Sequence, residues 1–189
     1  MNLPNKLTML RVLLIPVFMV CAVNRWMLAA GIVFAAASLT DYFDGHIARK
    51  SDLVTDFGKF ADPLADKLLT TTAFLYMMAD GICSPVVLVI ILAREFAVSG
   101  LRMVAAGAPG GKVIAANLWG KAKTVLQMLT ICFYYFGVSI EAAFFADPMS
   151  SAYKTQVCSA VLCWAVALVT AVSGIKYLWG NRQFIQTAK

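Results

Sequence analysis

Asp41-Tyr-Phe-Asp44-Gly45-His46-Ile-Ala48-Arg49 and, after eight further residues, Gly58-Lys-Phe-Ala-Asp62-Pro63-Leu-Ala-Asp66 form the stretch on which the reading of this chain turns. With Asp52 and Asp56 it holds six of the ten acidic residues, and an apolar run lies on either side of it. Asp41 and Asp44 stand three residues apart, Asp62 and Asp66 four apart. On helices each pair shares a face, and all four carboxylates converge if those faces meet. Converging carboxylates repel unless a cation sits between them. Hard oxygen ligands with no Cys or His partner favour Mg²⁺ or Mn²⁺, and four of them suffice for two ions. The stretch therefore predicts a divalent-metal site suited to diphosphate chemistry, placed between two apolar helices.

Working outward, the 189 residues are 61% hydrophobic and only 14% charged, with a mean hydropathy of +0.77. That composition lies far from a water-soluble domain. It predicts an all-α, polytopic integral membrane protein. A spanning helix needs about 20 apolar residues, and six stretches qualify, at roughly 8–24, 27–44, 60–79, 84–106, 117–140 and 155–179. Connections are short, no repeat is visible, and the one linker-like run is Ala105-Ala-Gly-Ala-Pro-Gly-Gly-Lys112, so residues 1–189 read as a single membrane domain. That run fails the spacing of a phosphate-binding P-loop, with Ala106 and Val113 at positions that need Gly and Ser or Thr.

Basic residues set the orientation. Lys6, Arg11, Arg49, Lys50, Lys59, Lys67, Arg102, Lys112, Lys121, Lys123, Lys176, Arg182 and Lys189 fall at one set of helix ends, and only Arg25 and Lys154 at the other. By the positive-inside rule both termini and the aspartate stretch are cytoplasmic. The net charge of +6 holds that face against anionic headgroups and attracts anionic substrates. No basic surface outside the membrane is large enough for nucleic acid. The five cysteines are odd in number, contain no Cys-x-x-Cys pair and read as packing residues. The first apolar run is followed by no small-residue cleavage site and reads as a retained span.

Around the acids, Gly45, Ala48 and Gly58 recur at helical distances, leaving room for a bulky ligand such as a nucleotide against helix backbone. Arg49 is placed to meet either a phosphate oxygen or a neighbouring carboxylate. Pro63 either starts or kinks the third helix. Asp52 and Asp56 read as loop-solvating acids, and His46 as a surface or packing residue.

From Asp41 to Asp66 the chain resembles, position for position, the signature of the CDP-alcohol phosphotransferases, membrane enzymes that move a phosphatidyl or similar group from a CDP-linked donor to an alcohol. The resemblance implies six transmembrane helices and usually a homodimer. It implies two divalent metals held by Asp41, Asp44, Asp62 and Asp66, the CDP diphosphate bridging them, and Asp66 as general base on the acceptor hydroxyl. The chemistry agrees: attack on a diphosphate builds negative charge that paired divalent ions neutralise, and a nearby carboxylate accepts the proton. On the residues alone, Asp66 is ligand, base or both.

The acceptor is read from the fourth and fifth segments. In Ala93-Arg94-Glu95-Phe-Ala-Val-Ser99-Gly100-Leu-Arg102, Arg94 and Arg102 fall on one helix face, and Trp119-Gly-Lys121-Ala-Lys123-Thr124 adds cations at the same level. Charges inside a spanning segment are costly and face polar cavities; snorkelling at helix ends is the alternative. Cations converging beside a metal site point to an acceptor that is itself a phosphate ester. These stretches, and the opening Asn2-Leu-Pro-Asn5-Lys-Leu-Thr8-Met-Leu-Arg11, resemble bacterial family members that join CDP-diacylglycerol to sn-glycerol 3-phosphate at the inner membrane, releasing CMP. Asn5, Thr8 and Arg11 either face the nucleotide or belong to an interfacial helix. Phosphatidylglycerol or serine as acceptor would keep the aspartates and change this pocket. Intramembrane prenyltransferases resemble two Asp-rich motifs set far apart, unlike this compact one. A divalent-cation transporter would want carboxylates near mid-membrane rather than at one face.

Overall fold

The chain folds into six helices: α1 (Leu3–Val23), α2 (Met27–Ser51), α3 (Asp56–Ala79), α4 (Pro85–Gly107), α5 (Leu118–Phe144) and α6 (Pro148–Gly180). The structure is a computed structural model that describes residues 3–51, 56–107, 118–144 and 148–182, with side chains described over 9–40, 67–105, 118–144 and 154–182. Each apolar stretch of the sequence falls in one helix, and the charged ends extend them. α1 begins at Leu3, α2 runs on through Arg49 to Ser51, and α3 starts at Asp56, ahead of Pro63, which therefore lies inside that helix and does not start it.

Local chemistry fixes the turns. After α1, the Trp26 amide donates to the Cys21 carbonyl at 2.9 Å and the Arg25 amide to Ala22 at 3.1 Å, with Arg25 in the left-handed region at φ 60°. The turn after α3 repeats this, Ile82 donating to Met77 and Gly81 to Met78, both at 2.9 Å, with Gly81 at φ 77°. Both are Schellman terminations. The two turns are tied together: Asp80 accepts from Arg25 at 2.5 Å and from the Tyr134 hydroxyl at 2.5 Å. α4 opens with Pro85, whose missing N–H costs nothing in the first turn, behind Ser84, whose Oγ accepts from the Val86 amide at 3.3 Å.

Among the described residues the packed helix pairs close a circuit, α1 on α2, α2 on α5, α5 on α6, α6 on α4, α4 on α3 and α3 back on α1. Phe18 of α1 is the hub of the apolar core, with Tyr135 edge-on at 5.4 Å and Phe34 and Tyr76 both at 6.2 Å between ring centroids. Small residues permit close approach: a Cβ on Gly31 would stand 3.1 Å from the Phe136 ring, and one on Gly137 would stand 2.8 Å from Thr155 Cγ2. All five cysteines are free thiols.

The outer surface is apolar. Leu13, Val89, Phe96, Leu129, Leu168 and Ile175, from four different helices, are all exposed. Among the described residues, Leu118–Phe144 and Lys154–Gly180 are long and apolar enough to cross a membrane, and Met9–Val23 and Met27–Thr40 are shorter apolar helices. Six spans were expected from the sequence. Charged residues interrupt the apolar run of α4 at Arg94, Glu95 and Arg102, and only 67–79 of α3 falls within the described side chains.

Candidate active site

The backbone is helical through Asp41, Asp44, Gly45, Ala48 and Arg49 in α2 and through Gly58, Asp62 and Asp66 in α3. The spacing argument for a shared face thus applies to each aspartate pair. The side chains of these residues, and of Asn5 and Thr8 in α1, lie outside the described residues. Among the described residues no group of His, Cys, Asp or Glu is arranged to hold a metal. The donor set fits a hard divalent ion: four carboxylates and no thiolate or imidazole ligand at these positions.

The described part of the site begins where the interior changes character. Along α5 the buried face runs Lys123, Gln127, Thr130 and then Ile131, Tyr134, Tyr135. The buried face of α5 is therefore polar over its first half and aromatic beyond it. Arg11 of α1, only 1% exposed, and Thr170 and Ser173 of α6 are further polar residues buried in the bundle. Buried polar groups are costly unless hydrogen-bonded or paired, and here Thr130 donates to the Leu126 carbonyl at 2.8 Å and Lys123 pairs with Glu95.

Arg94 and Lys123 meet at Glu95. Glu95 Oε1 accepts from Arg94 Nη1 at 3.4 Å and from Lys123 Nζ, so that one carboxylate oxygen serves two cations. Arg94 Nη2 also donates to Ser173 Oγ at 3.2 Å. Its stem lies against α6 at Gly174, where a Cβ would stand 2.9 Å from Arg94 Cγ. Arg94 Nε is buried with no acceptor among the described residues. Two unit charges about 5 Å apart repel by roughly 3 kcal/mol at an effective dielectric of about 20, so the cations need the carboxylate between them. Together the three groups carry a net single positive charge.

Two turns further along α4, Arg102 Nε donates to the Tyr177 hydroxyl at 3.0 Å and its guanidinium lies 5.5 Å from that ring's centroid. Arg94 and Arg102 thus share the α6-facing side of α4. Lys121 is exposed and Lys123 buried, as two residues two apart on a helix must face differently. Lys67, next to Asp66 in the chain, donates to Ser99 Oγ and ties the end of the aspartate motif to α4. At the same end of the bundle Lys176 Nζ stands 4.1 Å over the Trp119 ring.

Sequence reasoning overlooked Glu95 as a partner, along with Ser173, Gly174 and Tyr177. Glu95 lies in the quoted stretch as an acid within an apolar run, which was the available signal. The α6 residues sit in a run that reads as uniformly apolar, and only the packing of α6 on α4 singles them out.

An apolar six-helix domain with aspartates at helical spacing on two helices and a cation couple sharing one carboxylate on the next two suits an enzyme that handles phosphate esters. The family model for CDP-alcohol phosphatidyltransferase matches residues 1–173, and the chain belongs to that family. It is 37% identical to the CDP-diacylglycerol–glycerol-3-phosphate 3-phosphatidyltransferase of Bacillus subtilis, over 99% of this chain and 98% of that one. To the enzyme of the same name from Rickettsia felis it is 34% identical, over 97% of each chain. A further relative of that name, from Pseudomonas fluorescens, is 39% identical over 69% of this chain and 70% of its own.

Proposed function

We propose that this protein transfers the phosphatidyl group of CDP-diacylglycerol to sn-glycerol 3-phosphate, forming phosphatidylglycerophosphate and CMP. The observation that carries the choice of acceptor is the Arg94–Glu95–Lys123 group, in which Lys123 is buried and Arg94 and Glu95 are partly buried, with Arg94 anchored on Ser173. Cations this well withdrawn from water match a phosphate monoester, which a serine or a plain alcohol does not offer. Full-length similarity to enzymes that bear this activity in their name supports the same reading.

In the reaction the primary hydroxyl of glycerol 3-phosphate attacks the phosphorus that carries the diacylglycerol. A new P–O bond forms, the bond to CMP breaks, and the hydroxyl proton passes to a carboxylate, for which Asp66 is the candidate. Asp41, Asp44, Asp62 and Asp66 would hold the divalent ions, Mg²⁺ or Mn²⁺, whose chemistry is to neutralise charge on the diphosphate and the leaving CMP. Gly45, Ala48 and Gly58 leave backbone room for the cytidine, and Arg49, Asn5, Thr8 and Arg11 are the candidate polar contacts to the nucleotide. Arg94, Arg102, Lys121 and Lys123 serve the acceptor phosphate, with Lys123 buried, Arg94 partly buried and Lys121 exposed. Binding the acceptor among side chains held this firmly is itself catalytic, since it converts an encounter into a positioned reaction.

All six helices cross the bilayer in this reading, with both termini in the cytoplasm of a bacterial cell. The exposed apolar surface would be costly in water. Exposed Trp26 near one end, and Trp119 and Trp179 near the other, fit the interfacial belts of a membrane protein. A homodimer in the membrane completes the proposal. The test is CMP release from CDP-diacylglycerol by the purified protein, assayed separately with glycerol 3-phosphate, serine and phosphatidylglycerol. Release with glycerol 3-phosphate alone supports the assignment, and release with either other acceptor in its place overturns it.

A further inference from the structure

We propose that Glu95 is a positioning residue for the acceptor site, its carboxylate holding the Arg94 guanidinium and the Lys123 ammonium side by side for a phosphate monoester. This deepens the reading above and rests on it. A carboxylate inside an apolar helix, beside cations meant for an anion, works against substrate binding unless it does something else. The geometry shows what that is. α4 and α5 share no packed backbone pair among the described residues, and the Lys123–Glu95 ion pair joins them through side chains. Removing the Glu95 charge takes away the group that draws the head of that flexible lysine side chain toward Arg94. The same oxygen takes Arg94 Nη1, while Ser173 takes Nη2 and the α6 backbone at Gly174 abuts the stem. Arg94 is thereby held at three points, leaving Nε without an acceptor among the described residues. One negative charge between two positive ones leaves the group net positive, so it still draws in a dianion while the cations stay together when no substrate is bound.

Two forces set the sign of the effect of removing the charge. Glu95→Gln makes the site more positive, which favours an anion, but lets the two like charges of Arg94 and Lys123 move apart. If Glu95 positions, the second effect wins. The full-length protein in detergent should then show a KM for glycerol 3-phosphate raised about tenfold or more in Glu95→Gln, with the KM for CDP-diacylglycerol within about twofold of wild type. Glu95→Asp, which keeps the charge on a shorter arm, should recover part of the loss. A charge exchange, Glu95→Lys with Lys123→Glu, separates positioning from a plain helix-to-helix ion pair. Positioning expects it to regain thermal stability but not the affinity for glycerol 3-phosphate, whereas a purely structural pair expects both to return. The shift in melting temperature caused by glycerol 3-phosphate, measured on the same preparations, reads binding without turnover. It should shrink in Glu95→Gln. An unchanged or lowered KM in Glu95→Gln, or an exchange that restores full activity, overturns the proposal while the assigned reaction stands. A wild-type protein that releases no CMP with glycerol 3-phosphate overturns the assigned reaction and this proposal with it.

Discussion

Gly174→Ala is a one-carbon perturbation aimed at Arg94 through the backbone of α6. A Cβ there would stand 2.9 Å from Arg94 Cγ and 3.6 Å from Arg94 Cβ, and the first of these distances is one that real methyl carbons do not tolerate. The arginine stem must yield, because the alternative is to push α6 away from α4 along a packed interface. Moving Cγ aside strains the Nη2 bond to Ser173, which is already 3.2 Å long. A hydrogen bond to a charged group is worth about 1.5–3 kcal/mol. Losing the lower figure in substrate binding corresponds to roughly tenfold in affinity. Stability should move little, since Ala is better than Gly inside a helix by about 1 kcal/mol and offsets part of the clash. Steady-state kinetics with both substrates varied, beside a thermal melt in the same detergent, gives the comparison. The expected result is a KM for glycerol 3-phosphate up several-fold to tenfold, a nearly unchanged KM for CDP-diacylglycerol, and a melting temperature close to wild type. Gly100→Ala on α4 is the control, because a Cβ there meets nothing within 4 Å. If Gly174→Ala matches Gly100→Ala in every constant, Arg94 is not at the acceptor. Equal losses for donor and acceptor would place it in the framework instead.

Two further outcomes follow from the turns and the charge distribution. Gly81→Ala puts a side chain at φ 77° with no contact to compensate, and should lower stability by about 1–2 kcal/mol in reversible unfolding without altering either KM. In a cysteine-free background Asp52→Cys should react with an impermeant thiol reagent only after the membrane is opened, since the positive-inside rule puts that residue in the cytoplasm; labelling of intact cells would reverse the topology.

The helices were legible because a bilayer demands runs of apolar residues of fixed length, and their ends were less so because the aspartate motif is helical and polar at once. Hydropathy stops near Asp44, yet α2 continues through Arg49 to Ser51, and α3 begins at Asp56, before the apolar run that announces it. The aspartate pairs stand out in the sequence by spacing, and their side chains lie outside the described residues. The cation group was readable in part: Arg94 and Lys123 declared themselves by charge within apolar runs, but their joining through Glu95 links helices that share no packed pair among the described residues. Ser173 and Tyr177 carry no signal in the sequence, because hydropathy cannot say which face of α6 meets α4.

The central claim is that a phosphatidyl group passes to glycerol 3-phosphate at the aspartate pairs of α2 and α3. Its most direct test follows purified wild type and Asp44→Asn, both shown to be folded by their melting curves, with CDP-diacylglycerol, radiolabelled glycerol 3-phosphate and Mg²⁺ or Mn²⁺. Wild type should place one label in lipid for each CMP released, and Asp44→Asn should do neither. Label transfer at near-normal rate in Asp44→Asn, or CMP released by wild type without labelled lipid, would contradict the account.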